Sequence, residues 1–298
     1  MKLWGIVAGL SAAAIWGGMY VVSKAVLPIV PPFLLLSLRL ILGTAVLAFV
    51  QVRAGRLTST PREARRIILI GALGFGVSVG LQFVGTSLST AANASLVTAA
   101  SPAFILLFAG WILRERITLR RLAALALASF GVVAVIDPPT AGFDPRQLQG
   151  NLALLGAAVT WGLYSVLVKQ VSATRSTLEV SLLAFPGGLL VSLPMAAIEM
   201  STVGVGPISP AVIAGILYLG IISTALAMYL WNRSLAILEA GVVSLLFFAQ
   251  PVVGAGLGAA LLGESLHSGF WLGALFIGAG LLLSSMGDRP VPAHASEG

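Results

Sequence analysis

The sequence predicts an all-α polytopic membrane protein whose ten transmembrane helices form two inverted five-helix repeats. Hydrophobic residues make up 58% of the 298 residues and charged residues only 9%, against roughly a quarter charged in soluble domains. Apolar runs of about 18 residues or more, long enough to cross ~30 Å of hydrocarbon, recur along the whole chain. The second half also repeats motifs of the first, which indicates a tandem duplication.

The apolar runs divide equally between the two halves of the chain. Short polar, basic or proline-containing turns separate them. The predicted spans are residues 3–26, 33–52, 67–88, 92–113, 119–136, 151–169, 178–198, 211–233, 241–262 and 269–286.

The duplication is visible as two constant offsets. At an offset of 149, Pro102 in the fourth span falls on Pro251 in the ninth, and Glu115 falls on Glu264. At an offset of 145, the motif A-x-x-W-G of the first span falls on its copy in the sixth, and Lys24 falls on Lys169. An odd number of spans per repeat makes the second copy enter the membrane from the opposite side.

The same reasoning divides the chain into four segments. Residues 1–136 form the first repeat and residues 150–286 the second. The proline-rich stretch 137–149 is predicted to be an outside linker, and residues 287–298 are predicted to form a disordered cytoplasmic tail. A signal peptide cleaved near Ala14 is rejected, because the cut would fall inside a segment whose copy is an internal span.

Lysine and arginine concentrate on one side of the predicted membrane. This bias predicts a membrane orientation with cytoplasmic N- and C-termini. The net charge of +7 therefore indicates a topology signal with some attraction for anionic lipid, and no nucleic-acid partner is expected. The absence of cysteine excludes disulfides and cysteine-based metal sites.

The chemistry expected of an enzyme is missing from the sequence. It contains no Walker loop, H-E-x-x-H or G-x-S-x-G, and its two histidines lie in an outer turn and in the tail. We therefore expect no enzyme, cofactor or metal. No Asp or Glu lies near the middle of any span, which disfavours proton coupling through a buried carboxylate and selection of bulky organic cations.

Neutral polar and aromatic residues remain at membrane depth. Amide and hydroxyl groups can hydrogen-bond a zwitterion, and aromatic walls accept apolar side chains. The alternative, that these residues only brace helices or form an interfacial belt, stays open for each of them. The substrate-binding candidates are Trp16, Tyr20, Gln82, Asn93, Ser95, Trp161, Tyr164, Tyr229, Ser244, Phe247 and Gln250.

Three further residues have a predicted role within the spans. Arg39 lies one or two turns inside the outer end of the second span, so it either snorkels outward or faces a cavity, where it would attract a carboxylate or phosphate. Pro102 and Pro251 lie inside the fourth and ninth spans, where proline removes a backbone hydrogen bond. We interpret the two prolines as hinges.

These motifs together resemble a known family. W-G on the first and sixth spans, A-x-x-A-S-x-x-x-x-x-S-P on the fourth, Q-P on the ninth and the Glu beyond each of those two spans are similar to the EamA group of the drug/metabolite transporter (DMT) superfamily. Within it the chain most resembles the YddG-type exporters of aromatic and other amino acids. The resemblance implies a ten-helix monomer with a central cavity that works by alternating access.

Three functional hypotheses follow. The first is a secondary transporter, an exporter or facilitator, for amino acids, including aromatic ones, or related small metabolites. The second is a carrier of anionic phosphorylated metabolites or nucleotide sugars, with Arg39 and Lys24 as anchors. The third is a non-transporting membrane receptor or scaffold.

Overall fold

The computed structural model describes residues 2–55, 57–88, 94, 97–136, 145–262 and 268–285. Two of the substrate-binding candidates, Asn93 and Ser95, lie outside the described residues. So do Glu264, most of the predicted linker and the whole C-terminal tail.

The described chain is built from helices, and no strand occurs in these ranges. Six helices are long and apolar enough to cross a membrane, and shorter apolar helices accompany them. The prediction of an all-α chain with several membrane-spanning helices is therefore confirmed. The helices are α1 (Lys2–Val26), α2 (Pro32–Ala54), α3 (Pro61–Ser87), α4 (Ser101–Ile112), α5 (Leu119–Ile136), α6 (Pro145–Ser172), α7 (Thr177–Thr202), α8 (Pro210–Ile237), α9 (Ala240–Leu246), α10 (Ala249–Leu262) and α11 (Ser268–Ser285).

One boundary differs from the sequence prediction. Residues 145–149, which the sequence assigns to the linker, form the first turns of α6. Helix α6 starts at Pro145. Proline suits the first helical position because its fixed φ is already helical and because a backbone N–H at this position would have no partner within the helix.

The fourth and ninth spans are each interrupted just before their proline. Helix α4 begins at Ser101, immediately before Pro102, and is preceded by a tight turn in which Ala100 N donates to Val97 O at 3.1 Å. Between α9 and α10, Gln250 N donates to Phe247 O at 3.0 Å, just before Pro251. These three-residue spacings differ from the four-residue spacing of an α-helix. Both predicted hinge prolines thus sit beside a break in helical geometry.

Helices α3 and α8 each contain a wide, π-type turn. In α3 it covers Ala72–Ser78, and Val79 N bonds Gly74 O, five residues back. In α8 it covers Tyr218–Leu226, and Ala227 N bonds Ile222 O. The 149-residue offset superposes most of one wide turn on the other. Such turns are rare in proteins overall, but those that occur are often found at functional sites. The apolar pattern of the sequence did not predict them.

Glycines bring several helices unusually close together. Gly71 on α3 faces the backbone of Ala184 on α7, and Gly187 on α7 faces Ile68 and Ala72 on α3. At each glycine an added Cβ would overlap backbone atoms of the other helix. Small residues at helix contacts allow this approach in membrane proteins.

Helices α5 and α11 meet in the same way. Gly131 on α5 lies against Gly273 and Ile277 of α11, and Gly280 on α11 lies against Ala124 and Ala128 of α5. The two helices therefore pack along a shared seam of small residues.

Candidate functional site

A central cavity lies between helices of the two halves. Its lining comes from α1, α2, α3 and α4 with its preceding turn in the first half, and from α6, α8 and the α9–α10 region in the second. The lining residues are Trp16, Met19, Arg39, Ser78, Val79, Gln82, Thr98, Ser101, Ala157, Trp161, Met228, Phe247 and Gln250.

One wall of the cavity carries a buried cation. Arg39 is only 1% exposed, so its side chain faces inward and does not snorkel to the membrane surface. Its Nε donates to Thr224 Oγ1 at 2.7 Å, and a second nitrogen donates to Ser223 Oγ at 3.4 Å. The guanidinium carbon lies 5.2 Å from the centre of the Phe83 ring. Among the described residues, no carboxylate lies within ion-pair distance of Arg39.

Another wall of the cavity is aromatic. Trp16 meets Trp161 edge to face at 5.5 Å between ring centres, and lies 5.9 Å from Phe247 and 5.3 Å from Trp231. Offset and edge contacts of this kind are favourable for aromatic rings. The Trp16 indole N–H donates to Ser223 O at 3.0 Å. The wide turn of α8 therefore holds both walls, because Ser223 contacts the cation through its hydroxyl and the indole through its carbonyl.

A chain of hydrogen bonds joins two residues of the cavity lining, Gln82 and Thr98, through Tyr20. Gln82 Nε2 donates to the Tyr20 hydroxyl at 2.7 Å, and Tyr20 lies 2.8 Å from Thr98 Oγ1. Because the Thr98 hydroxyl donates to Ala94 O at 2.7 Å, the Tyr20 hydroxyl must donate to Thr98. The chain thus connects α3, α1 and the residues before α4.

Two polar atoms in the cavity lining have no hydrogen-bond partner. They are Oε1 of Gln250 and Nε1 of Trp161, and both side chains are more than nine-tenths buried. Buried polar atoms are normally paired, and an unpaired one raises the question of what pairs with it. One acceptor and one donor are therefore available to a ligand.

Most of the described candidate residues meet at this cavity. Six line it directly, and Tyr20 contacts it through Gln82 and Thr98. The six lining residues that the sequence singled out are Trp16, Arg39, Gln82, Trp161, Phe247 and Gln250.

Three candidates lie elsewhere in this structure. Tyr164 is fully buried behind Trp161, with ring centres 4.9 Å apart. The Ser244 hydroxyl donates to Gly241 O within α9 at 2.8 Å. Tyr229 is half-buried on α8 and is not part of the lining.

Sequence reasoning also missed several residues of the site. Ser223 and Thr224 hold Arg39, and Trp231 belongs to the aromatic cluster. The one available signal was the pair of hydroxyl residues inside an apolar span, which are unusual at membrane depth unless they bond something.

A second polar assembly lies at one end of the bundle, and we call it the end cluster: Glu115, Arg121, Lys169 and Glu239. The Glu115 carboxylate accepts from the backbone N–H groups of Ala240, at 2.9 Å, and Gly241, at 3.1 Å, which open α9. A carboxylate at a helix N-terminus is stabilised by the unpaired N–H groups there.

The other members complete the end cluster. Lys169 donates to the carbonyls of Leu235, at 3.1 Å, and Leu238, at the C-terminal end of α8, and lies 4.0 Å from Glu115. Arg121 forms an ion pair with Glu239. The end cluster therefore ties the α4–α5 turn of the first half to α6, α8 and α9 of the second.

The chain matches a protein family over nearly its whole length. The profile of the EamA-like transporter family matches residues 3–136 and, a second time, residues 148–286. The two matches coincide with the two halves related by the sequence offsets.

Two curated relatives match almost the whole chain, and a third matches about three quarters of it. A protein of Salmonella typhimurium named "Probable amino-acid metabolite efflux pump" is 28% identical over 94% of this chain and 94% of its own length. "Uncharacterized transporter YetK" of Bacillus subtilis is 26% identical over 98% of this chain and 90% of its own length. A "Probable terminal-alkyne amino-acid exporter" of Streptantibioticus cattleyicolor is 29% identical over 72% of this chain and 71% of its own length.

A solved crystal structure has the same fold. Its TM-score to this chain is 0.78 at 22% sequence identity, over 94% of this chain and 96% of the other.

Proposed function

This chain belongs to the EamA-like transporter family, as its motifs predicted, and we propose that it is a secondary transporter of amino acids, including aromatic ones, or related small metabolites. The observation that carries the proposal is the central cavity, whose lining combines the cation of Arg39 with the aromatic rings of Trp16 and Trp161. A guanidinium suits a carboxylate, and aromatic faces suit an apolar side chain. The names of two amino-acid-related relatives support the same cargo class.

We also propose ten spans in two inverted repeats, and two pairs of contacts support this arrangement. A two-fold relation requires that when one residue contacts a second, their counterparts make the same contact with the roles exchanged. Under the 149 offset, Gly131 and Gly280 are counterparts. Gly131 lies against Gly273 and Ile277, and Gly280 lies against the counterparts of these two residues, Ala124 and Ala128.

The second pair obeys both offsets at once. Gly17 on α1 lies against Val253 and Gly254 of α10. Its counterpart Gly162 on α6 lies against Phe104 and Ile105 of α4, which are the counterparts of Val253 and Gly254. These reciprocal contacts are those expected of two inverted halves around a shared cavity.

The mechanism that we propose is alternating access across the cell (inner) membrane, with both termini cytoplasmic. In this topology the end cluster lies on the cytoplasmic side and holds that side closed, because it ties the two halves together. Opening would separate Glu115 from the start of α9 and Lys169 from the end of α8, while the breaks beside Pro102 and Pro251 supply the bends.

The driving force that we propose is the cargo's own gradient. Every described carboxylate lies near a helix end and none of them lines the cavity, so no described carboxylate is placed to carry a coupled proton through it.

Counterflow in liposomes tests the proposal. Purified protein is reconstituted, loaded with one unlabelled amino acid or amino-acid-derived acid at a time, and assayed for uptake of the labelled compound. We expect exchange of aromatic compounds at a rate that does not change when a pH gradient is imposed. Exchange that requires the gradient would refute the coupling proposal, and binding in detergent without any flux would identify a receptor.

The same assay tests the second hypothesis, a carrier of anionic phosphorylated metabolites or nucleotide sugars. This hypothesis is favoured by Arg39, which has no carboxylate partner among the described residues. Phosphate and carboxylate both suit a buried guanidinium. Exchange of a sugar phosphate or nucleotide sugar, with no exchange of any amino-acid-related compound, would support that alternative and overturn the first proposal.

Replacing Tyr20 by phenylalanine should weaken transport without changing the fold. The change removes the hydroxyl that accepts from Gln82 and donates to Thr98, and leaves the partly buried Gln82 amide without its acceptor. The loss of about 1 kcal/mol should raise the KM for counterflow by about three- to tenfold. Tyr229→Phe is the matched control, since Tyr229 lies outside the lining, and an equal effect of both changes would show that the hydrogen-bond chain does not matter.

A further inference from the structure

The charge of the cavity is unbalanced. Arg39 is the one charged residue among the described lining residues, and its hydrogen-bond partners are the neutral atoms Thr224 Oγ1, Ser223 Oγ and Met19 Sδ. Only the bond to Thr224 is shorter than 3 Å. A guanidinium has five N–H donors in a fork that matches a carboxylate, so much of its donor capacity remains available.

The carboxylates that could neutralise Arg39 are engaged elsewhere. Each described one lies near a helix end and already accepts a hydrogen bond or forms an ion pair. They are Glu63, Glu115, Glu179, Glu199 and Glu239. A buried charge without a partner is costly, so an anion that enters the cavity removes an existing penalty.

An ammonium group finds no such compensation in the cavity. The described lining offers it only neutral groups, namely hydroxyl and amide oxygens such as Gln250 Oε1 and the faces of Trp16, Trp161 and Phe247, which attract a cation more weakly than a carboxylate does. In an α-amino acid the ammonium is attached to the carbon next to the carboxylate. When the carboxylate pairs with Arg39, the ammonium is therefore held within a few ångströms of the guanidinium, and like charges repel strongly at membrane depth.

We propose that the cavity recognises monocarboxylate anions that carry an aromatic or branched apolar group, and that it discriminates against ammonium. Among amino-acid-related metabolites, the deaminated or N-acylated acid is then preferred to the free amino acid. The inference rests on the proposed transport function and narrows its cargo class. The carboxylate pairs with Arg39, the apolar group lies against the aromatic wall, and Gln250 Oε1 is available to a hydroxyl or N–H of the cargo.

Three probes that share a 2-phenylethyl group test the inference. They are 3-phenylpropionate, which has the carboxylate alone, phenylalanine, which has both charges, and 2-phenylethylamine, which has the ammonium alone. Their dissociation constants are measured by calorimetry on the detergent-solubilised full chain at neutral pH. We expect 3-phenylpropionate to bind at least about tenfold more tightly than phenylalanine, and the amine to bind more weakly than either.

Arg39→Gln gives the matched comparison. It should weaken 3-phenylpropionate by at least about tenfold and remove most of its advantage over phenylalanine, because the amide keeps hydrogen bonds but loses the charge. Arg66→Gln, which removes a cation at the exposed bond to Gln170, should leave all three dissociation constants unchanged. If Arg39→Gln does not fold, the order of the three dissociation constants on the unchanged chain still tests the charge selectivity.

The outcomes separate this inference from the proposed function. Phenylalanine binding as tightly as 3-phenylpropionate, or more tightly, would overturn the charge selectivity and leave amino acid transport standing. Binding of the amine as tightly as the acid would also overturn it. If none of the three binds and none exchanges in counterflow, the proposed cargo class itself fails.

Discussion

Replacing Gly71 or Gly187 by alanine is expected to destabilise the protein by about 3 kcal/mol or more, the upper part of the range for overpacking. The added Cβ of Gly71 would overlap the backbone of Ala184, and that of Gly187 would overlap the backbone of Ile68 and Ala72. Backbone atoms cannot rotate away as a side-chain end can. Helices α3 and α7 would therefore have to separate along their contact.

Unfolding of the purified variants in detergent measures this effect. Gly256→Ala and Gly278→Ala are matched controls, because an added Cβ at either position meets nothing within 4 Å. They should stay within about 0.5 kcal/mol of the unchanged protein. If Gly71→Ala lowers the free energy of unfolding no more than the controls do, the contact between α3 and α7 is not tightly packed.

Lys169→Met and Glu115→Gln are expected to open the side of the cavity that we propose the end cluster closes. Removing Lys169 leaves the carbonyls of Leu235 and Leu238 without their donor, and removing the Glu115 charge weakens its hold on the start of α9. Breaking one partner of a buried charge network costs several kcal/mol. The variants should shift the gate toward the open form by at least about tenfold, or about 1.4 kcal/mol.

Thiol labelling measures the shift without background, since the chain contains no cysteine. A cysteine at Met228, which lines the cavity, is labelled with a membrane-impermeant maleimide from the side proposed to be cytoplasmic. Either variant should raise the labelling rate at least about tenfold, while Arg66→Gln, an exposed change at the same membrane face, should not. Equal rates in all of them would exclude the end cluster as a gate.

The sequence predicted the parts of this molecule that depend on pattern. Apolar run length predicted several membrane-spanning helices, the two offsets paired positions such as Gly17 and Gly162, and the depth of Arg39 in its span predicted that it could face a cavity, which it does. Trp16 and Trp161 were found because the repeated W-G motif places an aromatic residue at the same depth in both halves.

The parts that were missed depend on local departures from regular geometry. Tyr164 follows Trp161 by three positions on one helix face, and periodicity cannot tell which of the two lines a cavity and which lies behind it. Ser223 and Thr224 reach Arg39 from a wide turn, and the apolar pattern of α8 is compatible with an uninterrupted α-helix. Trp231 lies beyond that turn, so its orientation depends on it as well.

The wide turn of α8 also sets the helical phase of everything that follows it. A turn closed by bonds five residues apart accommodates more residues than an α-helical turn. If Tyr218–Leu226 changed to ordinary α-helix at the same length, the rest of α8 would rotate by about 100° around its axis, the angle of one residue. Met228 would then turn away from the cavity, and Trp231 would turn away from the aromatic cluster. Deleting one residue inside the wide turn would instead convert it to ordinary α-helix without this rotation. The parts of α8 before and after the turn would then keep the faces that they now present to their neighbours.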